Sequence, residues 1–238
     1  NANTTGDARS AKVTITSKMS ATIKSSFSVS QMTMNDIIGH YKFIYVNSDN
    51  QRVNATAEIA LNGSALNLIV KTQLLGGNMT LTFPVEFDQA SGSLAIQAGM
   101  PIYNQQLTLH TSSGQAVQGY VISAFEFGDG YLSYRNTVYG LMPFGHDDTN
   151  GTYAQMGNMK FPQNIGDYAV EGLVIYFAKV QNPTSQDETI GMIDEWKNCT
   201  LIKTTAASPA KANFLMPVAA KPAKSASNLK SLKGYFTK

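Results

Sequence analysis

The chain of 238 residues is long enough to bury a substantial core, and its charged fraction of 14% is typical of an exported β-protein. Although the formal net charge is +2, eight of the 18 basic residues follow Glu195, the last acid, so the preceding body has 10 basic and 16 acidic residues and a net charge of −6. This acidic body argues against nucleic acid as the main partner, and the single Cys199 excludes an intrachain disulfide and a thiolate metal cluster.

The first 30 residues are predicted to form a leader and the first strands. Residues 1–10 are small and polar, which is typical of a flexible leader, and a start at Asn1 rather than Met leads us to expect a trimmed mature chain. Residues 12–19 alternate Val13 and Ile15 with threonines, the period of a strand. Residues 21–29 are predicted to continue this strand or to pair with it.

Residues 38–100 carry the clearest pattern, a run of antiparallel strands separated by turns. The spacing of Thr33 and Asp36 predicts one short helical turn just before it. Asn62-Gly63 predicts a tight hairpin, because both central residues of a type I′ turn need positive φ. The predicted strands of this meander are residues 40–46, 52–61, 64–73, 79–87 and 93–98.

Two details of the meander can be predicted from its residues. The strand period places Tyr41, Phe43 and Tyr45 on one face of the first strand and the two residues between them on the other. Pro84 predicts an edge strand or a bulge, because proline cannot donate to the hydrogen-bond ladder.

Beyond residue 100 the predicted strands are residues 103–110, 116–127, 131–139, 168–179 and 198–204. Residues 144–157 are predicted to form a long loop, and residues 185–193 either a short helix or a loop. Ten or more strands predict an all-β fold over residues 31–205, an antiparallel meander forming a β-barrel or a β-sandwich, with no helix longer than about three turns.

Residues 206–238 are predicted to form a basic tail or linker, because they lack acids and are rich in Ala, Pro and Lys. Apolar residues such as Phe214 and Phe236 lead us to expect the tail to dock on its own body or on a neighbouring copy. A linker without such a contact is the alternative.

Three segments resemble a known family. Asp36-Ile-Ile-Gly39-His-Tyr41 resembles the lipocalin or calycin opening, a short helical turn that leads to a Gly-x-aromatic, with Tyr41 where tryptophan is familiar. Residues 87–99 and 196–203 are similar to segments of lipocalin-like surface lipoproteins of Bacteroides-type gut bacteria. The resemblance implies an exported lipocalin-like β-barrel and leaves room for an N-terminal lipid anchor in a longer precursor. These motifs are structural, so the resemblance carries no functional residue over.

Chemistry-bearing motifs are scarce. No nucleophile elbow, zinc-protease helix or phosphate-binding loop occurs, so neither a catalytic residue nor a cofactor is predicted. The three histidines are too scattered to indicate a triad or a metal site. Strand acids are interpreted as solvated, although two facing inward could form a glycosidase pair; these acids are Glu58, Glu86, Glu126 and Glu171.

Two kinds of site remain as candidates. Asp147, Asp148 and Asn150 offer oxygen ligands and predict a weak surface Ca²⁺ site, with a polar turn as the alternative. Nearby aromatic rings offer flat apolar faces for sugar stacking, although alternating strand aromatics also fit a core. The predicted ligand-binding residues are Tyr131, Tyr134, Tyr139, Phe144 and Tyr153.

The sequence therefore leaves three functions open. The preferred one is a non-catalytic binding or adhesion module for a glycan or a protein partner at the cell surface. The alternatives are a saccharide-acting hydrolase with paired carboxylates and a lipocalin-type carrier of a small apolar ligand. The expected location is exported: at the cell surface, associated with an outer membrane, or periplasmic. No apolar run reaches the length of a membrane span, so no transmembrane segment is predicted.

Overall fold

The computed structural model describes residues 9–110, 114–128, 130–147, 150–160 and 168–204, with backbone only at 9–10, 27–31, 147 and 160. These ranges are almost entirely β. The strands are β1 (Arg9–Thr16), β2 (Lys24–Gln31), β3 (Gly39–Val46), β4 (Arg52–Asn62), β5 (Ala65–Leu74), β6 (Gly77–Asp88), β7 (Ser93–Gln97), β8 (Leu107–His110), β9 (Ala116–Phe127), β10 (Tyr131–Ser133), β11 (Tyr139–Asp147), β12 (Gly151–Gln155), β13 (Asn158–Lys160), β14 (Tyr168–Ala178) and β15 (Thr189–Lys203). A single helical turn, α1 (Met34–Ile37), and a 3₁₀ turn (Gln186–Glu188) complete the elements seen.

The meander closes on itself through the last strand. β3 to β7 pair in chain order, β7 pairs with β11, β11 with β12, β12 with β15, and β15 returns to β3, all antiparallel. The hydrogen bonds therefore run around a closed ring of strands. The prediction of an all-β, antiparallel fold built on a meander is confirmed.

β15 also belongs to a second group of strands. Its first half pairs with β14, β14 pairs with β9, and β9 pairs with β8 and β10. The strand changes partner at Asn198, where φ is +53° and one extra residue shifts the register against β3 between Lys197 and Thr200. A bulge of this kind bends a strand, so one chain segment serves both groups.

The main core joins the ring to the second group of strands. It contains the predicted face of β3, namely Tyr41, Phe43 and Tyr45, which confirms the strand period. Trp196 on β15 stacks on Tyr45 with ring centroids 4.4 Å apart. The largest fully buried side chains are Trp196, Tyr45, Phe43, Phe83, Phe125 and Phe177. Large side chains therefore fill the interior of the ring.

The helical turn and the end of β15 lie together at one end of the ring. The predicted cap is confirmed, since the Thr33 backbone N–H donates to Asp36 Oδ2 at 2.7 Å. Ile37 is fully buried, and Lys203 Nζ donates to the carbonyl oxygen of Asp36, which lies 167 positions earlier. Burial lowers the pKa of Lys203, and the nearby Asp36 carboxylate opposes this.

Two sequence-based expectations need correction, and a third needs refinement. The predicted loop at residues 144–157 is the β11–β12 hairpin, in which the Tyr153 ring lies over Gly145, and the many glycines there concealed the strand pattern. Residues 185–193, predicted to form either a short helix or a loop, contain a 3₁₀ turn and the start of β15 at Thr189. The predicted strand at residues 131–139 ends at Ser133, and β11 starts at Tyr139.

Pro84 lies neither on an edge strand nor at a bulge. β6 is between β5 and β7, and its register with β5 is continuous. The Thr82 N–H points away from β5 and donates to the Ile102 carbonyl oxygen. The backbone nitrogen of residue 84, two positions on, therefore also points away from β5. The β6–β7 pairing begins only at Val85 and Ile96, so proline interrupts no hydrogen bond of the ladder.

Gly99 lies where neither its backbone conformation nor its surroundings leave room for a side chain. Its φ is +70°, and an added Cβ would lie 2.1 Å from the Tyr134 carbonyl oxygen. Gly92 has a similar φ of +63° but open space around it, which makes it a matched control. We expect Gly92→Ala to lower the free energy of unfolding by about 1 kcal/mol, and Gly99→Ala by about 1–3 kcal/mol more, from the backbone clash. Urea denaturation followed by circular dichroism measures both, and equal losses would contradict the packing argument.

The N-terminal strands stand apart from the core. β1 and β2 pair only with each other in the described part of the chain. Every side chain from Ala11 to Thr16 is exposed. The predicted tail at 206–238 lies outside the described residues. Within the described ranges, no helix is long and apolar enough to cross a bilayer.

Candidate functional site

An exposed group of aromatic rings lies where β9, β10 and β14 meet. β9 ends at Phe127, the chain turns through Gly128 and Gly130 with positive φ, and β10 returns with Tyr131 directly opposite Phe127. Tyr168 begins β14, and its ring meets Phe127 edge to face at 5.5 Å. The Tyr131 ring lies 6.2 Å from Phe127. We call Phe127, Tyr131 and Tyr168 the aromatic platform.

The platform exposes much of its ring surface. Tyr131 is 69% exposed and Tyr168 40% exposed, while Phe127 is half-buried and packs against the core. Phe127 therefore anchors the platform to the core, and the two tyrosines are its more exposed members. Such surfaces favour a ligand with one flat apolar face and groups that can form hydrogen bonds.

The five predicted ligand-binding aromatics do not form one group. Only Tyr131 belongs to the platform. Tyr134 stacks on Tyr176 with centroids 6.4 Å apart over the outer face of β9 and β14, and Phe144 packs edge to face on Phe87 at 6.3 Å.

The remaining two of the five lie on the β11–β12 hairpin and its neighbours. Tyr153 covers Gly145. Tyr139 lies near Glu86, and burial, together with this carboxylate, raises the pKa of Tyr139. Among the described ring contacts, none joins two of the five predicted aromatics.

The predicted Ca²⁺ site falls at the turn of the β11–β12 hairpin. Asp147 is the last residue of β11 and pairs with Gly151, but its side chain and all of Asp148 lie outside the described residues. Asn150 is half-buried beside them. The described residues contain no group of three or more His, Cys, Asp or Glu side chains that could hold a metal ion. The Ca²⁺ site stays a prediction.

A buried pair of carboxyl groups lies on the face of β9, β14 and β15 that points away from the main core. Glu126 and Glu195 are 4% and 7% exposed. Lys197 Nζ is 3.0 Å from Glu195 Oε1 and 3.8 Å from Glu126 Oε2. An added Cβ on Gly172 would lie 2.6 Å from Glu195 Oε1, so the glycine makes room for the carboxylate. We call Glu126, Glu195 and Lys197 the carboxyl cluster.

The electrostatics of this cluster are unusual. Burial, the hydrogen bond with Glu195 and the charge of Glu195 raise the pKa of Glu126 to about 7, while Lys197 opposes this. Burial by itself would lower the pKa of Lys197, but three carboxylates, those of Glu195, Glu126 and Glu171, raise it overall. Glu126 can therefore hold a proton near neutral pH, as a general acid does.

The interpretation of Glu126 as a solvated strand acid is wrong. A signal was present in the sequence, because Glu126 stands between two phenylalanines at the end of a nearly continuous apolar run. Such runs are typical of strands buried on both faces. Glu195 and Tyr168 were not singled out, since their partners lie on distant strands.

The described contacts of His40 and His146 involve different strand pairs. His40 Nδ1 lies 4.0 Å from Glu58 Oε2 across the β3–β4 pair, and His146 Nδ1 lies 3.3 Å from the Thr152 hydroxyl. Cys199 is buried, and burial raises the pKa of its thiol well above the usual range, so its reactivity is low.

Comparisons of the chain with protein-family models, with curated proteins and with solved structures find no match. The resemblance to lipocalin-like surface lipoproteins stays a prediction. A function must therefore be argued from the side chains themselves.

Proposed function

We propose that this chain is a non-catalytic binding module that holds its ligand on the aromatic platform. The observation that carries the proposal is the adjacency of two exposed tyrosines, Tyr131 and Tyr168, on a phenylalanine anchored in the core. Large exposed rings that share one surface are typical of ligand or partner sites. The ligand class that fits is a glycan, whose apolar ring faces stack on tyrosine while its hydroxyl groups bind the phenol oxygens.

The two alternative functions have weaker support. A carrier of an apolar ligand needs an open interior, whereas Trp196, Phe43 and Phe83 fill the ring. A hydrolase would use the carboxyl cluster, in which the raised pKa of Glu126 suits a general acid. Its carboxyl groups are buried, however, and line none of the three clefts described on the surface.

A glycan array with the full chain tests the binding function. We expect Tyr131→Ala and Tyr168→Ala each to weaken binding on the order of tenfold, because an aromatic contact contributes about 0.5–1.5 kcal/mol beyond its buried area. Tyr131→Phe keeps the ring and should retain most of the affinity if stacking dominates. Val180→Ala, which changes an exposed apolar residue elsewhere, is the control.

Two results would overturn this assignment. Unchanged binding in both tyrosine variants would remove the platform as the site. Turnover of chromogenic glycosides that is lost in Glu126→Gln would favour the hydrolase instead.

We also propose an exported location at the cell surface or in the periplasm, supported by the low charge content. Protease treatment of intact cells that produce the native precursor, followed by detection of the chain, tests it. Resistance in intact cells together with recovery in the cytoplasmic fraction would contradict it.

A further inference from the structure

The N-terminal hairpin, β1 with β2, presents uncovered apolar residues. Met19 at its tip is 98% exposed, Ile23 65% and Ile15 61%. An isolated two-stranded hairpin is only marginally stable in water. A surface of this kind gains stability when a partner covers it.

The tip is held in one shape by its own hydrogen bonds. Ser17 N donates to the Ile23 carbonyl oxygen at 2.9 Å, Ile23 N to that of Ser20 at 3.2 Å, and Met19 N to the Ser17 hydroxyl at 3.2 Å. Exposed lysines, Lys18 and Lys24, flank these residues. The tip, residues 19–23, is therefore an ordered apolar turn with a lysine on each side.

The charge of the hairpin is opposite to that of the rest of the described chain. Residues 9–31 contain four basic residues and no acid. Residues 32–204 contain 8 basic and 15 acidic residues, a net charge of −7. The tail at 206–238 is basic like the hairpin, so charge disfavours it as the partner of the hairpin.

A cleft of about 570 Å³ beside α1 and along β5 and β6 has the complementary character. Leu66 and Val85 are buried in its floor, and Phe87 is half-buried. Met34, 43% exposed, and the exposed Glu86 also line it. The cleft thus offers the exposed parts of Met34 and Phe87 to Met19 and Ile23, and the Glu86 carboxylate to a lysine.

We propose that the hairpin tip of one copy docks into this cleft on a second copy of the chain. Within one copy the tip is exposed, so the contact forms between molecules. Different surfaces of the two partners meet, and contacts of this head-to-tail kind extend into rings or open filaments. Such an assembly would present several aromatic platforms at once, and a ligand with repeated binding groups could contact more than one of them. A single copy offers only one platform.

Sedimentation velocity of the full chain tests the contact. We expect the wild-type chain to assemble as its concentration rises and to do so less at high salt, because screening weakens the lysine–carboxylate attraction. Met19→Asp and Glu86→Lys should each raise the concentration at which half the chains assemble by tenfold or more. Val180→Asp, which alters an exposed apolar residue outside the tip and the cleft, should leave it unchanged.

A mixture of the two variants distinguishes head-to-tail docking from other modes. Met19→Asp keeps an intact cleft and Glu86→Lys keeps an intact tip. Their mixture should form dimers and nothing larger, because each chain has lost one of the two surfaces. A wild-type chain that stays monomeric at low salt, or assembly unaffected by either variant, would overturn the proposal.

Cysteine crosslinking identifies the partner surface directly. The native Cys199 is buried and does not compete. With oxidised glutathione as oxidant, Met19→Cys mixed with a Gln89→Cys variant, whose cysteine lies at the cleft, should give a disulfide-linked heterodimer. Met19→Cys mixed with Val180→Cys should not.

Other binding partners of the hairpin tip would give different crosslinking or binding results. Preferred Met19→Cys homodimers would show that hairpins meet each other and would overturn docking in the cleft. Binding of the monomeric chain to phosphatidylglycerol vesicles, lost in Met19→Asp, would assign the tip to a membrane surface and would overturn it as well.

Discussion

Replacing Trp196 by alanine is expected to lower the free energy of unfolding by about 3–5 kcal/mol, a large part of the stability of an ordinary domain. Trp196 is fully buried and packs against aromatic side chains of β3 and β6. The ring centroids lie 4.4 Å from Tyr45, 5.7 Å from Phe43 and 6.2 Å from Phe83. Its indole N–H donates to Asp194 Oδ2 at 3.0 Å. The truncation therefore opens a large cavity and removes a hydrogen bond to a buried carboxylate.

Trp196→Phe separates these two effects. It keeps much of the ring packing but leaves Asp194 Oδ2 without the indole donor, so we expect a smaller loss of about 1–3 kcal/mol. Because Trp196 is the only tryptophan, the transition must be followed by far-ultraviolet circular dichroism in urea rather than by fluorescence. A loss below about 1 kcal/mol for alanine would mean that the core does not depend on this stack.

The carboxyl cluster predicts a stability that falls as the pH rises. The pKa of Glu126 in the folded chain, about 7, lies above its ordinary value of 4.5, so folding favours the protonated form. This contribution is fully present below the ordinary pKa and is lost as the pH rises through about 7. We expect the free energy of unfolding to fall on the order of 1–2 kcal/mol between pH 5 and pH 8. The figure is kept small because Lys197 is half-exposed, so solvent screens the charges of the cluster.

Glu126→Gln is the matched test. Glutamine has nearly the same shape and no charge, so the variant should match the wild-type chain near pH 5 and be more stable by the same amount at pH 8. Comparing the two proteins at each pH cancels the other carboxylates, such as Glu188, whose pKa hydrogen bonds from Thr184 lower. A difference that does not change with pH would contradict a proton on Glu126.

Lys197→Met probes the same cluster from the other side. Without the ammonium group, two buried carboxyl groups face each other, and we expect destabilisation at pH 8 that becomes smaller at pH 5, where Glu126 is protonated. Lys71→Met, on the exposed side of β5, is the control and should show no such dependence.

Local patterns were sufficient to predict the strands of the meander. The alternation around Phe43 identified the core face of β3, and outside the meander the bounds of β9 were predicted to the residue. These features depend on period and turn chemistry, which a short window contains. The β11–β12 hairpin was missed because Gly145 has no side chain of its own to mark the strand, and the Tyr153 ring covers it from the partner strand.

The sites could be predicted only in part. Tyr131 was named from its polar aromatic surroundings, but Phe127 and Tyr168 join it through strand register, which no local pattern shows. Glu126 and Glu195 meet because β9 and β15 both pair with β14 and both residues lie beside Gly172. Pairings between strands far apart in the chain depend on register and on loop closure, which a single sequence does not determine.

The use of β15 to close the ring has a consequence for biosynthesis. β15 is the last described strand to leave the ribosome, and its partner β3 is the first strand of the ring. At about 5–20 residues per second, the free edge of β3 waits on the order of 10–30 s for β15. An unpaired edge of that duration is a site of aberrant pairing. A holdase chaperone that shields β3 during synthesis would therefore improve the yield of correctly folded chain more than one that acts after release.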